Sequence, residues 1–340
     1  MKSQPRIVTI GGGTGAPTVV RALTLAGFNN INAISASMDS GGKTGTIRSD
    51  ERDQVIAVSD LMRNLLALIS PSYQNLPQIQ AFTDLVTYTD GRNRNLGYTL
   101  YYALLEKYSG DFLQVQKHLE NLLSLKFSGA AIPITLSPTT ICFSTISGSE
   151  FRGEHELDRH SMSTDSIFSI WLNPQVPATP QALTALTDAT HIIFCPGSIY
   201  GSVIANLLPK GISLALKKSR AHKILITNLV STRNQTHKFS PIDFQKVFQT
   251  YSRTPSPFDT IIVPHLSESQ FEAKYPKVAQ NYSHEHSHFL GWNPGLLTPL
   301  KKSDVLVISA PIFSVTSHLN RIRHDPHLLA PILKKLINHI

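Results

Sequence analysis

Residues 6–16, Arg6-Ile7-Val8-Thr9-Ile10-Gly11-Gly12-Gly13-Thr14-Gly15-Ala16, decide how the rest of the chain is read. Ile7, Val8, Thr9 and Ile10 are apolar or β-branched, the composition of a short strand buried on both faces. Glycines follow at once, and residues 19–25 then carry apolar side chains at helical spacing up to Gly27, a suitable residue just past a helix end. Gly11, Gly13 and Ala16 fit the G-x-G-x-x-A form of the dinucleotide fingerprint. In that form glycine permits a tight turn and lets backbone N–H groups approach a phosphate, while the helix aims its positive end at the anion. Strand, glycine loop and helix start in this order predict a parallel α/β sheet whose first loop binds a phosphate through Gly11, Gly12, Gly13, Thr14 and Gly15.

The same order repeats outward from that loop. Residues 31–37 (INAISAS) predict a second strand, with Asp39 just past its carboxyl end. Ser59 and Asp60 precede Leu61, Leu65, Leu66, Leu68 and Ile69, a helical apolar face with a capping residue in front of it. Residues 96–108 and 113–125 predict two further helices. The texture changes at residues 132–136, 140–145 and 150–156, which are short and β-rich with Ser-Pro and Ser-Gly turns, as in a small antiparallel insertion or edge sheet. Parallel texture returns at residues 191–195 (HIIFC), 223–227 (KILIT), 260–263 (TIIV) and 305–308 (VLVI), and residues 326–337 predict a closing helix. The fold class expected is α/β: Rossmann-like and doubly wound, a mostly parallel sheet in a three-layer α/β/α sandwich. One domain is expected over residues 1–340, with the β-rich insertion at about 130–159.

Composition narrows the function classes. Apolar residues make up 41% of the 340 positions, an ordinary globular content, and no run approaches the length needed to cross a bilayer. The N-terminal apolar run is only strand-length, so a cytoplasmic protein with no membrane partner is expected. Cys142 and Cys195 form no pairing pattern and no Cys/His metal spacing, which suits a reducing compartment. The net charge of +8 invites a nucleic-acid reading, but charged residues are only 16% of the chain and Lys217-Lys218, Lys301-Lys302 and Lys334-Lys335 are isolated pairs. Without a basic block interleaved with aromatics, a nucleic-acid partner is not expected, and an anionic small ligand accounts for the charge equally well. Homo-oligomerisation is left open.

Two further loops stand at strand ends. In the first, Asp39, Ser40, Gly41, Gly42, Lys43 and Thr44 read as a second anion-binding loop, with Asp39 on a ribose, a metal or a hydroxyl. Gly42-Lys43-Thr44 imitates the end of a P-loop, but Ser37 occupies the place of that motif's first glycine, so the P-loop is rejected. In the second, Pro196, Gly197, Ser198 and Tyr200 follow residues 191–195 and place backbone N–H groups and a hydroxyl at a strand end. Cys195 beside them reads as a buried thiol, since nothing adjacent activates it. Asp60 near Arg63 reads as a capped helix with a local ion pair. His284, His286 and His288 read as an exposed loop rather than a metal site, and no Ser-His-Asp set can be selected.

Taken in order, GGGTGAPTVVRAL, MDSGGKTG, GDF at 110–112, RGE at 152–154, PGSIYGSVIANLLPKGI, ILITNL and RHDPHLLA resemble the YvcK/CofD family, the gluconeogenesis factors and phospholactate transferases. The resemblance runs from about residue 6 to the final helix and implies a Rossmann-like three-layer fold. Its transferase branch implies passage of a phospholactate-type group from a nucleoside diphosphate to a deazaflavin alcohol with Mg2+ assisting, and Asp39 and Asp60 would then hold the metal. Its YvcK branch, which the long Pro-Gly-Ser-Ile-Tyr segment resembles more, implies binding of UDP-sugars such as UDP-N-acetylglucosamine, linked to cell shape, envelope synthesis and carbon metabolism. The chain departs from the family pattern at Ser40, Lys43 and Thr44, where an acid and two serines are usual, and Arg63 falls one position late behind Asp60. The reading preferred is a UDP-sugar-binding protein, in which Asn228 and the third loop shape the base or sugar end. The transferase is the alternative, a nicotinamide dehydrogenase leaves two loops unexplained, and no catalytic residue is assigned.

Overall fold

The computed structural model describes residues 4–38, 56–92, 94–302, 304–316 and 320–339. Asp39, Ser40, Gly41, Gly42, Lys43 and Thr44 lie outside the described residues.

The stretch that opened the sequence forms β1 (Ile7–Ile10), buried along its whole length, then a glycine loop, then a helix at Gly15–Leu25. The remaining strands of the main sheet are β2 (Ile31–Ser35), β3 (Gly129–Pro133), β7 (His191–Phe194), β8 (His222–Ile226), β9 (Thr260–Pro264) and β10 (Leu306–Ala310). Between β3 and β7 come β4 (Thr140–Thr145), β5 (Glu150–Arg152) and β6 (Ile167–Asn173), and after β10 come β11 (Phe313–Thr316) and β12 (Arg321–His324). Among the described residues, seven strands pair in parallel in the order β10-β9-β8-β7-β1-β2-β3. This is the expected Rossmann-like α/β sheet.

Strand order places the crevice. From β1 the chain steps outward to β2 and β3, then returns to β7 on the other side of β1 and steps away through β8, β9 and β10. Connections on the two sides of β1 therefore leave in opposite directions, and a crevice opens at the carboxyl ends of β1 and β7. Register is exact across this pair, with Ile7 opposite His191 and Ile10 opposite Phe194. Both loops therefore begin at the same level of the sheet.

Helices cover the sheet because each buries one apolar stripe. Gly15–Leu25 packs against the terminal helix Pro326–His339 and against Ser59–Ala67. Across the sheet, Phe194 of β7 meets Phe248 and Phe258 edge-on, with ring centroids 5.0 and 5.6 Å away. Edge-to-face packing of this kind sets the ring quadrupoles favourably while filling the core.

The β-rich stretch divides between two sheets. β3 joins the main sheet as its edge, paired in parallel with β2, whereas β4 pairs antiparallel with β5 and β6. Residues 154–156, expected as strand, instead begin a helix at Glu154–Arg159, because Gly153 at φ +111° turns the chain and Glu154 and Glu156 favour a helix's first turn. β6 lies beyond the expected boundary of the insertion. Among the described residues, no helix is long and apolar enough to cross a membrane.

Candidate functional site

The wall between the first and third loops is made of main chain. Gly11 N–H donates to Ile34 O at 3.2 Å, and Cys195 N–H donates to Ile10 O at 2.9 Å, so both loops leave a sheet that is still hydrogen-bonded. A Cβ on Gly11 would sit 2.8 Å from Cys195 Cβ and 3.3 Å from Ala16 Cβ. A Cβ on Gly15 would sit 1.8 Å from the Pro196 carbonyl oxygen. Glycine is required at these two positions by close approach of the neighbouring strand's loop. Gly13 is required by its backbone, at φ +62°.

Asp60, at the start of Ser59–Ala67, reaches into this loop. Gly13 N–H donates to both Asp60 carboxylate oxygens at 3.0 Å, and Arg63 Nη1 donates to Oδ1 at 2.9 Å. The Arg63 guanidinium also reaches the Tyr98 hydroxyl at 3.3 Å. The carboxylate fills the space beside Gly12, where a Cβ would stand 2.2 Å from Oδ2. Asp60 is thus the acceptor that shapes the glycine loop, with its charge compensated by Arg63; the sequence suggested a cap with a local pair, or a ligand or metal contact, but not this bond to the loop. Its side chain is 8% exposed against 42% for Arg63, so the carboxylate is committed to the protein and the guanidinium partly to solvent. The Gly12 and Thr14 N–H groups donate to no other described residue.

In the third loop the structure separates holding residues from open ones. Ser198 Oγ accepts from Gly201 N–H at 3.1 Å and donates to Gln235 Oε1 at 3.0 Å, so its hydroxyl serves the loop itself. Asn228, just past β8, donates to Gly197 O at 2.6 Å and ties the third loop to the fourth strand end. Thr227 beside it is fixed from two sides, by its own N–H to Ile262 O at 3.1 Å and by His324 Nε2 donating to its carbonyl at 3.0 Å. Tyr200 is buried, edge-on to Tyr251, and burial pushes its hydroxyl pKa up. Cys195 is buried and its thiol is likewise pushed up by burial, the state of an inert core cysteine.

Residues 199–203 form a π-helical turn, with Ile204 N–H bonded back to Ile199 O. Wide turns of this type concentrate at functional sites because they re-aim one side chain. The side chain re-aimed here is Ser202, whose Cβ lies 3.5 Å from the Cβ position of Gly12 and 3.2 Å from that of Gly197. Glu154 of the Arg152-Gly153-Glu154 motif covers this turn from outside, with Oε1 3.0 Å from the Cβ position of Gly201. Sequence reasoning passed over Ser202, Gln235 and His324, since serine, glutamine and histidine at these spacings carry no local signal.

The described residues do not assemble a metal site here. Both Asp60 oxygens accept from protein donors, one of them a guanidinium, and among the described residues no group of three or more His, Cys, Asp or Glu is arranged to hold a metal ion. The 284–288 segment divides instead: His284 ends a helix at Pro276–His284, while His288 bonds Ser231 Oγ at 3.0 Å and meets His237 edge-on.

Comparison with known proteins agrees with this architecture. A protein of Bacillus halodurans from the UPF0052 family shares the fold, with a TM-score of 0.80 at 23% identity over 96% of this chain and 98% of that one. A Thermotoga maritima protein named as a candidate gluconeogenesis factor is 26% identical across 97% of this chain and 99% of its own length. The gluconeogenesis factor of Listeria innocua is 28% identical across 74% of each chain. The sequence pattern of the family described as 2-phospho-L-lactate transferase CofD matches residues 7–312, which takes in β1, every loop of the crevice and β10. The chain belongs to the CofD family.

Proposed function

We propose that the crevice between β1 and β7 binds a nucleoside diphosphate carrying a sugar, a UDP-sugar in the first instance, and that the chain is a regulatory binding protein of the YvcK type. The observation that carries this reading is the main-chain contact of two strand-end loops, Gly15 against the Pro196 carbonyl, at the point where strand order reverses. Backbone amides at such a point bind a phosphate by hydrogen bonding and by the helix dipole, with no need for a catalytic side chain. Gly12 and Thr14 N–H groups would meet the diphosphate, and Asp39, Ser40, Gly41, Gly42, Lys43 and Thr44 of the second loop would line it. Loops after β7 and β8 would shape the base or sugar end. The names of the Thermotoga and Listeria relatives support a role in carbon metabolism; cell shape and envelope synthesis are the further outlets that the resemblance to the YvcK branch implies.

The commitment of Asp60 to Gly13 and Arg63 favours binding over Mg2+-dependent phospholactate transfer, and no step through a metal is derived. Calorimetric titration with UDP-N-acetylglucosamine, GDP and NAD, with Mg2+ and with chelator, separates the readings. UDP-sugar binding that survives chelation is the expected result. Tight GDP binding that demands Mg2+ would replace it with the transferase, and no binding of any of the three would remove the nucleotide reading.

A further inference from the structure

We propose that the Ser202 hydroxyl is the side-chain donor to the ligand's diphosphate, completing a cradle that the glycine loop leaves one donor short. The inference rests on the crevice being a nucleoside-diphosphate site, and it names the residue that makes the cradle work.

Three glycines from two different loops turn their missing side chains towards this one serine. Cβ positions at Gly12 and Gly197 fall 3.5 and 3.2 Å from Ser202 Cβ, and those at Gly13 and Gly197 fall 3.8 and 3.5 Å from Ser202 Oγ. Side chains at those positions would close the space around the hydroxyl, so the glycines hold it open. The Cβ position of Gly197 also falls 3.5 Å from the Gly12 carbonyl oxygen, which brings both loops to the same small volume.

Ser202 is anchored everywhere except at its hydroxyl. Its N–H donates to Ser198 O at 2.9 Å, and its carbonyl accepts from Asn206 Nδ2 at 2.8 Å. Asn206 is fully buried, so the anchor is set inside the core. The hydroxyl makes no hydrogen bond to any other described residue, and Ser202 is half-buried at the crevice. Ser198, four residues earlier in the same motif, has both its donor and acceptor capacity used by Gln235 and Gly201.

The donor count explains why a hydroxyl is needed. A glycine loop ahead of a helix ordinarily offers consecutive backbone N–H groups to a phosphate. Here Gly13 N–H is taken by both oxygens of Asp60. A neutral hydroxyl beside Gly12, whose Cβ position lies 3.5 Å from Ser202 Cβ, restores a donor without adding charge, and a phosphate oxygen is a strong enough acceptor to use it. Asn206 acts on the ligand only through Ser202 and is a positioning residue.

The test measures UDP and GDP affinity by calorimetry, and ligand-free Tm, for the wild-type chain, Ser202→Ala and Ser202→Thr. Ser202→Ala should bind UDP about tenfold more weakly than wild type, the loss expected for one hydrogen bond to a charged group, with the ligand-free Tm unchanged. Ser202→Thr, which keeps the hydroxyl, should stay within about threefold of wild type. Equal UDP affinity in wild type and Ser202→Ala would overturn the inference and leave the nucleotide reading standing. If Ser202→Ala lowers the ligand-free Tm, Ser202→Thr decides: recovery of binding supports the hydroxyl, and affinity as weak as the alanine variant overturns it. Failure of the wild-type chain to bind UDP or GDP would remove the nucleotide reading and this inference with it.

Discussion

Adding one methyl group at Gly15 should force apart the two loops that build the crevice. The Cβ of Gly15→Ala lands 1.8 Å from the Pro196 carbonyl oxygen and 2.7 Å from its carbon, both main-chain atoms. Ordinary contact begins near 3.4 Å, so one wall must retreat by about 1.6 Å, the difference between 3.4 and 1.8 Å. Neither wall gives easily, because Gly11 and Cys195 are still hydrogen-bonded into the sheet, to Ile34 O and Ile10 O. Overpacking costs about 1–3 kcal/mol, and with no flexible side chain to yield, Gly15→Ala belongs near the upper end. At about 2 °C per kcal/mol for a chain of this length, Tm in a calorimetric scan should fall by about 4–6 °C. UDP affinity should fall at least about tenfold, since a shift of that size exceeds what a hydrogen bond tolerates. Gly295→Ala is the control: nothing lies within 4 Å of its Cβ position, and its Tm should stay within about 1 °C of wild type. A Gly15→Ala protein with both the Tm and the UDP affinity of wild type would refute the contact between the loops and the crevice built on it.

Two other perturbations probe the same architecture. Asp60→Asn removes the charge that Gly13 N–H and Arg63 share and turns one acceptor into a donor, so denaturant unfolding should show a loss of about 2 kcal/mol; stability equal to wild type would mean that the carboxylate does not shape the loop. Acid should also weaken the fold through His191 and His324, both pushed down from 6.5 to about 4, mainly by burial. In each case the unfolded chain binds the proton first, so the stabilisation is fully present above pH 6.5 and is lost as pH falls from 6.5 towards 4. The loss is about 3 kcal/mol per imidazole before solvent screening and about 1–2 kcal/mol for the half-buried His324 after it. His191→Gln should flatten that part of the stability profile in denaturant titrations at pH 7.5 and pH 5, and an unaltered slope would rule His191 out as a contributor.

The sequence by itself determined what depends on neighbouring residues. Ile7 to Ile10, the glycines behind them and the apolar spacing that follows are local preferences of backbone and side chain, so β1, its loop and its helix were legible, as were β7, β8 and β9. The parallel α/β class followed from their repetition. Gly11, Gly12 and Gly13 were legible as a glycine loop between strand and helix because the motif and its setting lie within one stretch of chain.

Tertiary structure decided everything that depends on strand order. Asp60 is 47 residues from Gly13, and no pattern along the chain reveals that its carboxylate takes the Gly13 N–H. That contact exists because β2 lies beside β1 and Ser59–Ala67 packs over both Gly15–Leu25 and β2. Placement of β3 was decided in the same way, since a short β-rich segment suits either sheet until its partner is known. The surroundings of Tyr200 and Ser202 were decided for a related reason. Both stand in one motif, and the π-helical turn buries the tyrosine ring against Tyr251 while presenting the serine to three glycines. Hydrogen bonding along the turn sets which face each side chain takes, and the facing glycines come from loops that only the folded sheet brings together.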